Sequence, residues 1–252
     1  FIYESGAGHT GGSLSCIDIL NVLYNAVMDI RPENWQSLPR DFYIQRKGHS
    51  VEALYIVLAD LGFFDPSELE TGNRFQTRLI GHPTRKLPGI EHNTGGLGHG
   101  LSVSVGLALA AKLDKRSSRV FCLLGDGELS EGSNWEAALS AAHYKLDNLT
   151  AVVDRNGLQT PGATAQVNDL EPLEEKWNAF GWAVRRTDGH DLSRLLEAFS
   201  DLPFARGKPG VLIADTVKGR GVSFIEGNVE WHHKVPSREQ YQLAMRELEV
   251  RP

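Results

Sequence analysis

Two apolar runs, each ending in a polar turn, constrain this chain more than any other feature. Val120–Leu124 runs into Gly125-Asp126-Gly127, and Leu149–Val153 runs into Asp154-Arg155-Asn156-Gly157. The segment between them reads as a helix, so the unit is strand–helix–strand. Parallel strands joined in this way bring both turns to one edge of a sheet. Asp126 and Asn156, a carboxylate and an amide at adjacent strand ends, form half of a site for a hard cation. The peptide carbonyl of Leu158 offers a third oxygen. Asp154 is the rival ligand, and all of these residue types are also ordinary turn formers. Gly125 and Gly127 let backbone N–H groups approach a phosphate closely. Magnesium needs few carboxylates when phosphates supply other oxygens, so a single Asp with an Asn suits a cation balanced by a diphosphate.

Alternation of strands and helices extends along the chain and predicts an α/β fold, a parallel central sheet with helices on both faces. Strands are expected at Arg40–Gln45, Trp182–Arg186 and Val211–Val217, and helices at Val51–Leu61, Leu101–Leu113, Pro172–Phe180 and Leu192–Phe199. A capping box at Ser15-x-x-Asp18 is expected to open a helix carrying Ile17, Leu20, Leu23, Tyr24 and Val27, and Ser237-x-x-Gln240 to open the last one. Pro66–Gly72 reads as a short acidic helix or turn. Residues 72–95 have little periodicity and read as a long surface loop, a length that is usually functional or disordered. Phe1-Ile2-Tyr3 reads as the tail of a helix with residues expected upstream.

The chain has 252 residues, enough for one large α/β domain, taken as 1–252, and a net charge of −6 with no basic stripe, which excludes nucleic acid as the expected partner. Its basic clusters, Lys112–Arg119 and Lys218–Arg220, are short and read as solvated turns. No apolar stretch approaches the roughly 18 residues of a membrane span. Cys16 and Cys122 have no metal spacing and fit structural roles in a reducing, cytoplasmic setting.

Further chemistry gathers in glycine-rich contexts. Thr94-Gly-Gly-Leu-Gly-His-Gly100 opens a small-residue helix, where free N–H groups and the helix dipole favour an anion or polar ligand. His9, His49, His82 and the His232-His233 pair sit in turns expected at the carboxyl end of the sheet. A histidine in a loop is more often a surface or satisfied residue, the reading given to His92, His99, His143 and His190. Glu131, at the start of the helix after the GDG turn, is either an N-terminal cap or a partner-facing group.

The segments SGAGHTGGSLS, RDFYIQRKGHSVEALY, LIGHPTRKLPGIEHNTGGLGHGLS, FCLLGDGELSEGSNWEAA, VVDRNGLQT and TVKGRGVSFIEGNVEWHHK follow one another in an order that resembles the N-terminal, diphosphate-binding half of transketolase, over nearly the whole chain. The resemblance implies a thiamine-diphosphate-binding fold of the diphosphate-domain type and transfer of a two-carbon ketol unit from a ketose to an aldose, either of them a phosphate ester. It implies thiamine diphosphate and Mg2+ (or Ca2+ or Mn2+) as cofactors. His49, Gly95, Gly96, Leu97, Gly125, Asp126, Gly127, Glu128, Asn156 and His232 would bind the cofactor, with Asp126, Asn156 and the Leu158 carbonyl on the metal. His9, His82, His232 and Glu131 would be catalytic, with His232 preferred to His233 because it directly follows Trp231. Thr10 departs from the more usual proline after the first histidine. The pyrimidine-binding domain of the family is expected on a separate C-terminal subunit in an α2β2 assembly, with Glu131 at the inter-subunit surface. Alternatives are a deoxyxylulose-phosphate synthase-like chain, a 2-oxo-acid dehydrogenase component, or a non-catalytic regulatory subunit. The GHPT and TGGLGHG segments favour transketolase over the other enzymes, and the intact Asp126/Asn156 pair argues against loss of turnover.

Overall fold

The computed structural model describes residues 1–249; the last three positions of the expected 1–252 domain lie outside the described residues. In chain order the elements are α1 (Ile2–Ser5), α2 (Thr10–Val22), β1 (Phe42–Gln45), α3 (Val51–Asp60), α4 (Gly100–Leu113), β2 (Val120–Gly125), α5 (Gly132–His143), β3 (Leu149–Arg155), the two-residue strands β4 (Leu158–Gln159) and β5 (Gly162–Ala163), α6 (Thr164–Val167), α7 (Leu173–Ala179), β6 (Ala183–Asp188), α8 (Leu192–Ser200), β7 (Gly210–Asp215) and α9 (Arg238–Glu249). The main sheet runs β1-β2-β3-β7-β6 and every pairing in it is parallel. This is the expected α/β architecture.

The apolar runs of the central strands follow from burial on both faces. Phe121 and Leu123 of β2 point into a core shared with α2, α3 and α8, while Cys122 and Leu124 point into a second core shared with α4, α5 and α7. Both cysteines are buried and unbridged. Gly125 at the end of β2 lies opposite Asp154 of β3, and Asp154 lies opposite Ala214 of β7. The turns after β2, β3 and β7 therefore emerge side by side.

One helix start differs from expectation. The Ser15-x-x-Asp18 capping box does not form, because α2 begins five residues earlier, at Thr10, and has no side-chain cap. Ser15 lies inside the helix and is buried, and Asp18 contacts His190. The early start runs through Gly11 and Gly12, poor helix formers whose cost is offset by tertiary packing. A Cβ on Gly11 would lie 2.8 Å from the Trp231 carbonyl oxygen and 2.9 Å from Lys218 Cγ, and Gly219 N–H donates to the Gly11 carbonyl at 2.9 Å. The last helix does open on the expected reciprocal box, with Gln240 N–H donating to Ser237 Oγ and Ser237 N–H to Gln240 Oε1. Residues 72–95 lack regular elements, but they are not merely a surface loop, since Leu79, Leu87 and Ile90 anchor them in the first core.

Opposite outcomes are expected for two helical glycines. Gly11→Ala should destabilise by ~1–3 kcal/mol, the range for overpacking. Gly106→Ala, on the open face of α4 where a Cβ meets nothing, should stabilise by ~0.5–1 kcal/mol. Urea unfolding of both variants checks the pair, and a Gly11→Ala chain as stable as wild type would contradict the packing.

Candidate functional site

At the floor of the site lies an ion pair sealed from solvent. Asp154, the last-but-one residue of β3, is paired with Lys47, which follows β1. Asp154 also accepts from Ser15 Oγ at 2.6 Å and from Thr216 Oγ1. Lys47 Nζ donates to Ser15 Oγ at 3.0 Å and to the Gly12 carbonyl at 3.2 Å. Burial alone would raise the Asp154 pKa, but the Lys47 ammonium and the hydroxyl donors hold it below the usual carboxylate value. The Asp154 carboxylate is therefore engaged with an ammonium and two hydroxyls and is not presented as a cation ligand.

Above this floor a cavity of about 330 Å³ is lined by residues from three strand ends and two loops, among them Lys47, His49, Asp126, Asn156, Lys218 and His232. Asp126 holds its own turn, its carboxylate accepting from Gly127 N–H at 2.8 Å and Gly157 N–H at 2.7 Å. Burial and then the charge of Asp154 raise its pKa. Asn156 Oδ1 accepts from Leu158 N–H at 3.1 Å. The Leu158 carbonyl accepts from Lys218 Nζ at 2.9 Å, and Lys218 lies 3.1 Å from His232 Nδ1. Lys218 is buried, not the solvated turn expected of the Lys218–Arg220 cluster. Its stem packs against Gly11, where a Cβ would lie 2.9 Å from Lys218 Cγ, and the next residue, Gly219, packs against Ile225. Burial, and then the like charge of Lys47, pulls the Lys218 pKa down to about 8.

His49, Leu97, Gly125, Asp126, Gly127, Glu128, Glu131, Asn156, Leu158 and His232 all line this cavity. Gly95 and Gly96 do not; they line a neighbouring cavity, while Leu97 of the same turn reaches the first. Glu128 is sequestered as well as cavity-lining. Its carboxylate lies 2.7 Å from Arg46 Nε and accepts from Gly98 N–H at 3.0 Å, tying the GDG turn to the TGGLGHG turn, and burial pushes its pKa up to about 7. Glu131 is exposed at the N-cap of α5, and its side chain makes no cap hydrogen bond.

The histidines form a wall beside the cavity. The His9 ring lies 5.1 Å from His49, 5.7 Å from His232 and 4.5 Å from His233, and His49 stacks on His232 at 5.1 Å. His232 lines the cavity, whereas His233 is exposed. His82 is exposed and packs where a Cβ on Gly95 would lie 3.3 Å from its Cδ2; it does not line the cavity. Thr10 Oγ1 donates to the Lys234 carbonyl at 2.8 Å, fastening the start of α2 to the segment that carries His232 and His233. His190, read as bland, joins α2 to the loop after β7: its Nδ1 lies 2.7 Å from Asp18 and its Nε2 accepts from Val217 N–H at 2.8 Å.

Lys47, Lys218, Ser15, Gly12 and Thr216 do not stand out in the sequence. For the lysines the available signal is position, since Lys47 stands two residues before His49 and Lys218 directly follows the expected strand Val211–Val217. The arrangement suits an anion with a hard cation. The Lys218 ammonium faces the cavity with Lys47 behind it, Asp126, Asn156 and Leu158 offer oxygens, and the Leu158 carbonyl accepts from Lys218. Among the described residues no cluster of three His, Cys, Asp or Glu side chains could hold a metal, so a metal here would rely on this mixed oxygen set and on its ligand.

Comparison with known proteins gives a family match over residues 1–248 to the transketolase, thiamine diphosphate binding domain. The chain is 46% identical over 250 residues to a protein of Phocaeicola vulgatus named as one subunit of an apulose-4-phosphate transketolase, covering 99% of this chain and 89% of that one. It is 42% identical to the 6-deoxy-6-sulfo-D-fructose transketolase subunit SqwG of a Clostridium species, covering 98% and 90%. Among solved structures, the transketolase of Campylobacter jejuni matches with a TM-score of 0.90 at 28% identity, and that of Leishmania mexicana with 0.90 at 26%. The match covers 98% of this chain but spans only 40% and 39% of those two.

The imidazole wall makes stability depend on pH in a defined direction. Burial, then His233 and His232, brings His9 down to about 3, and burial, then Lys218, brings His232 to about 4, both below the ordinary 6.5. Below ~6.5 the unfolded chain therefore binds more protons than the folded one. Their contribution is complete above that pH and is lost as pH falls toward the folded values. Scanning calorimetry should find a melting temperature that drops between about pH 7 and 5, and a shallower drop in the His9→Gln/His232→Gln double variant. Equal slopes would refute the assignment.

Proposed function

This chain belongs to the transketolase family through its thiamine diphosphate binding domain, and from that premise we propose that it is the diphosphate- and metal-holding subunit of a two-chain transketolase. Its activity is transfer of a two-carbon ketol unit from a ketose or ketose phosphate to an aldose or aldose phosphate. The observation that carries the reading is the convergence of Lys47, Lys218, Asp126, Asn156 and the Leu158 carbonyl on one cavity at the carboxyl ends of β1, β2, β3 and β7. Their chemistry fits a diphosphate bridged to the protein by a magnesium-like cation.

In this reading Asp126, Asn156 and Leu158 hold the cation, while His49, Gly125, Gly127 and Lys218 face the diphosphate. Leu97 lines the heterocyclic part of the cofactor. Gly95 and Gly96 support it through the backbone of the same turn, and Glu128 fixes that turn against the GDG turn. Bound thiamine diphosphate supplies the nucleophilic carbon that breaks and re-forms carbon–carbon bonds. The protein's part is to bind, orient and move protons. His9 and His232 stay neutral at physiological pH. His9 keeps a lone pair with which to accept a proton from a sugar hydroxyl, while His232, whose Nδ1 accepts from the Lys218 ammonium, presents Nε2–H to polarise a sugar oxygen. His9 Nδ1 is buried without a hydrogen-bond partner, a position suited to a substrate hydroxyl. His82 completes the sugar-facing group from the loop that carries Gly95.

Two relatives of nearly the same length carry names that make each of them one subunit of a transketolase, which supports a separate partner chain for this one. We place the pyrimidine-binding domain on that partner, in an α2β2 assembly with exposed Glu131 at the junction. No helix among the described residues is long and apolar enough to cross a membrane, and two buried free thiols suit the reducing cytoplasm as the compartment.

Native mass spectrometry of the chain recovered with thiamine diphosphate and magnesium should find a second, different polypeptide and bound cofactor. A homo-oligomer without cofactor would overturn the two-chain reading. In the assembled enzyme, Asp126→Ala should abolish cofactor-dependent ketol transfer while the chain keeps its circular dichroism spectrum and cooperative melting. Full activity in that variant would remove Asp126 from the metal site.

A further inference from the structure

Arg46 and Glu128 stand between two cavities. Glu128 lines the one described above, whereas Arg46 lines its neighbour, also about 330 Å³, together with Thr94, His99 and Gly100. We propose that this second cavity is an oxoanion site, taking a phosphate-type group independently of the cofactor cavity.

Two independent features converge there. The first is the start of α4, a fourteen-residue helix whose N-cap, His99, contributes no side-chain cap hydrogen bond. The first N–H groups of a helix have no intrahelical acceptor, and the dipole adds partial positive charge at the same place. The second is Arg46 itself. It is only 2% exposed, yet its Nη2 has no hydrogen-bond partner, and its contact with Glu128 is made from Nε. A guanidinium has five N–H donors, and a buried one left with an idle edge beside a cavity lacks an acceptor. Thr94 Oγ1, in the same lining, is likewise buried and unpartnered.

The rest of the lining fits an anion. Among the described residues no Asp or Glu side chain lines this cavity, and His92, Gly95, Gly96 and His99 leave its rim open to solvent. Gly100 is what brings the two donor sets together, because a Cβ there would collide with Arg46 Cδ. Without that side chain the guanidinium slides beneath the first turn of α4. Donors then approach from two directions, from Arg46 and from the helix start. This suits the several oxygens of a tetrahedral oxoanion better than a planar carboxylate, which one guanidinium edge satisfies.

The test is titration of the full chain with inorganic phosphate followed by 31P line broadening, with and without thiamine diphosphate and magnesium. Saturable binding is expected in both conditions. Arg46→Gln keeps a donor opposite Glu128 and should weaken binding about tenfold; Thr94→Val/His99→Ala, which leaves the ion pair untouched, should weaken it in the same direction. Phosphate alone can also enter the cavity of Lys218, so Lys218→Met should remove at most that component and leave in place the component that Arg46→Gln weakens. A parallel titration with glycerol 3-phosphate separates a free ion from a phosphoryl group carried by an organic molecule, and tighter binding of either supports the site. Absence of saturable binding, or binding lost in Lys218→Met and kept in Arg46→Gln, would overturn the proposal. Failure of the chain to bind thiamine diphosphate would count against the proposed function and leave this titration readable.

Discussion

The Lys47–Asp154 pair is the interaction on which the rest of the site depends. It joins four pieces of chain: the exit of β1, the end of β3, helix α2 through Ser15 and Gly12, and the exit of β7 through Thr216. Removing one partner from a buried pair typically costs about 3–5 kcal/mol, because the other charge is left uncompensated. Such a pair adds little net stability over well-packed apolar residues, so its value here is positional. It fixes where the exits of β1, β3 and β7 lie relative to one another, and those exits carry Lys47, Asn156 and Lys218.

The same pair sorts the two aspartates that the sequence places after adjacent strands. Asp154 is saturated by an ammonium and two hydroxyls, whereas Asp126 accepts from the backbone N–H groups of two turns and, at 3.4 Å, from Thr164 Oγ1, with no cation beside it among the described residues. A carboxylate satisfied by fixed protein cations has nothing left for a metal. One that lines the cavity without a fixed protein cation has no charge set against its own. The two aspartates thus differ in what surrounds each, which strand–turn spacing alone does not reveal.

Hydrophobic periodicity made the strands and most helices legible, because burial on both faces of a parallel sheet leaves little freedom in β2, β3 and β7. The start of α2 was not legible. Ser15 and Asp18 have the local grammar of a cap, but Ser15 is taken by Asp154 and Asp18 by His190, contacts 139 and 172 residues away in sequence. Lys218 was misread for a related reason. In a Lys-Gly-Arg-Gly context a lysine looks solvated, and only the packing of Gly11 and Gly219 against each other's loops encloses it. Asp126, Asn156, His49 and His232 were legible because turn chemistry and strand ends place them locally. Lys47 and Thr216 owe their roles to partners on other strands.

The charges left in the cavity divide it by function. Its floor holds Lys218, whose pKa is pulled down by burial and then by the like charge of Lys47, itself paired with Asp154. Its wall is made of imidazoles that burial and those same lysines keep neutral: His49 is pushed well below its ordinary value by burial and then by Lys47, and His232 by burial and then by Lys218. The ammonium groups therefore act with burial to keep the neighbouring histidines unprotonated. A neutral imidazole can accept a hydroxyl proton, which a charged one cannot. The ammonium floor and the neutral imidazole wall are thus two sides of one charge distribution, and moving either lysine would disturb both.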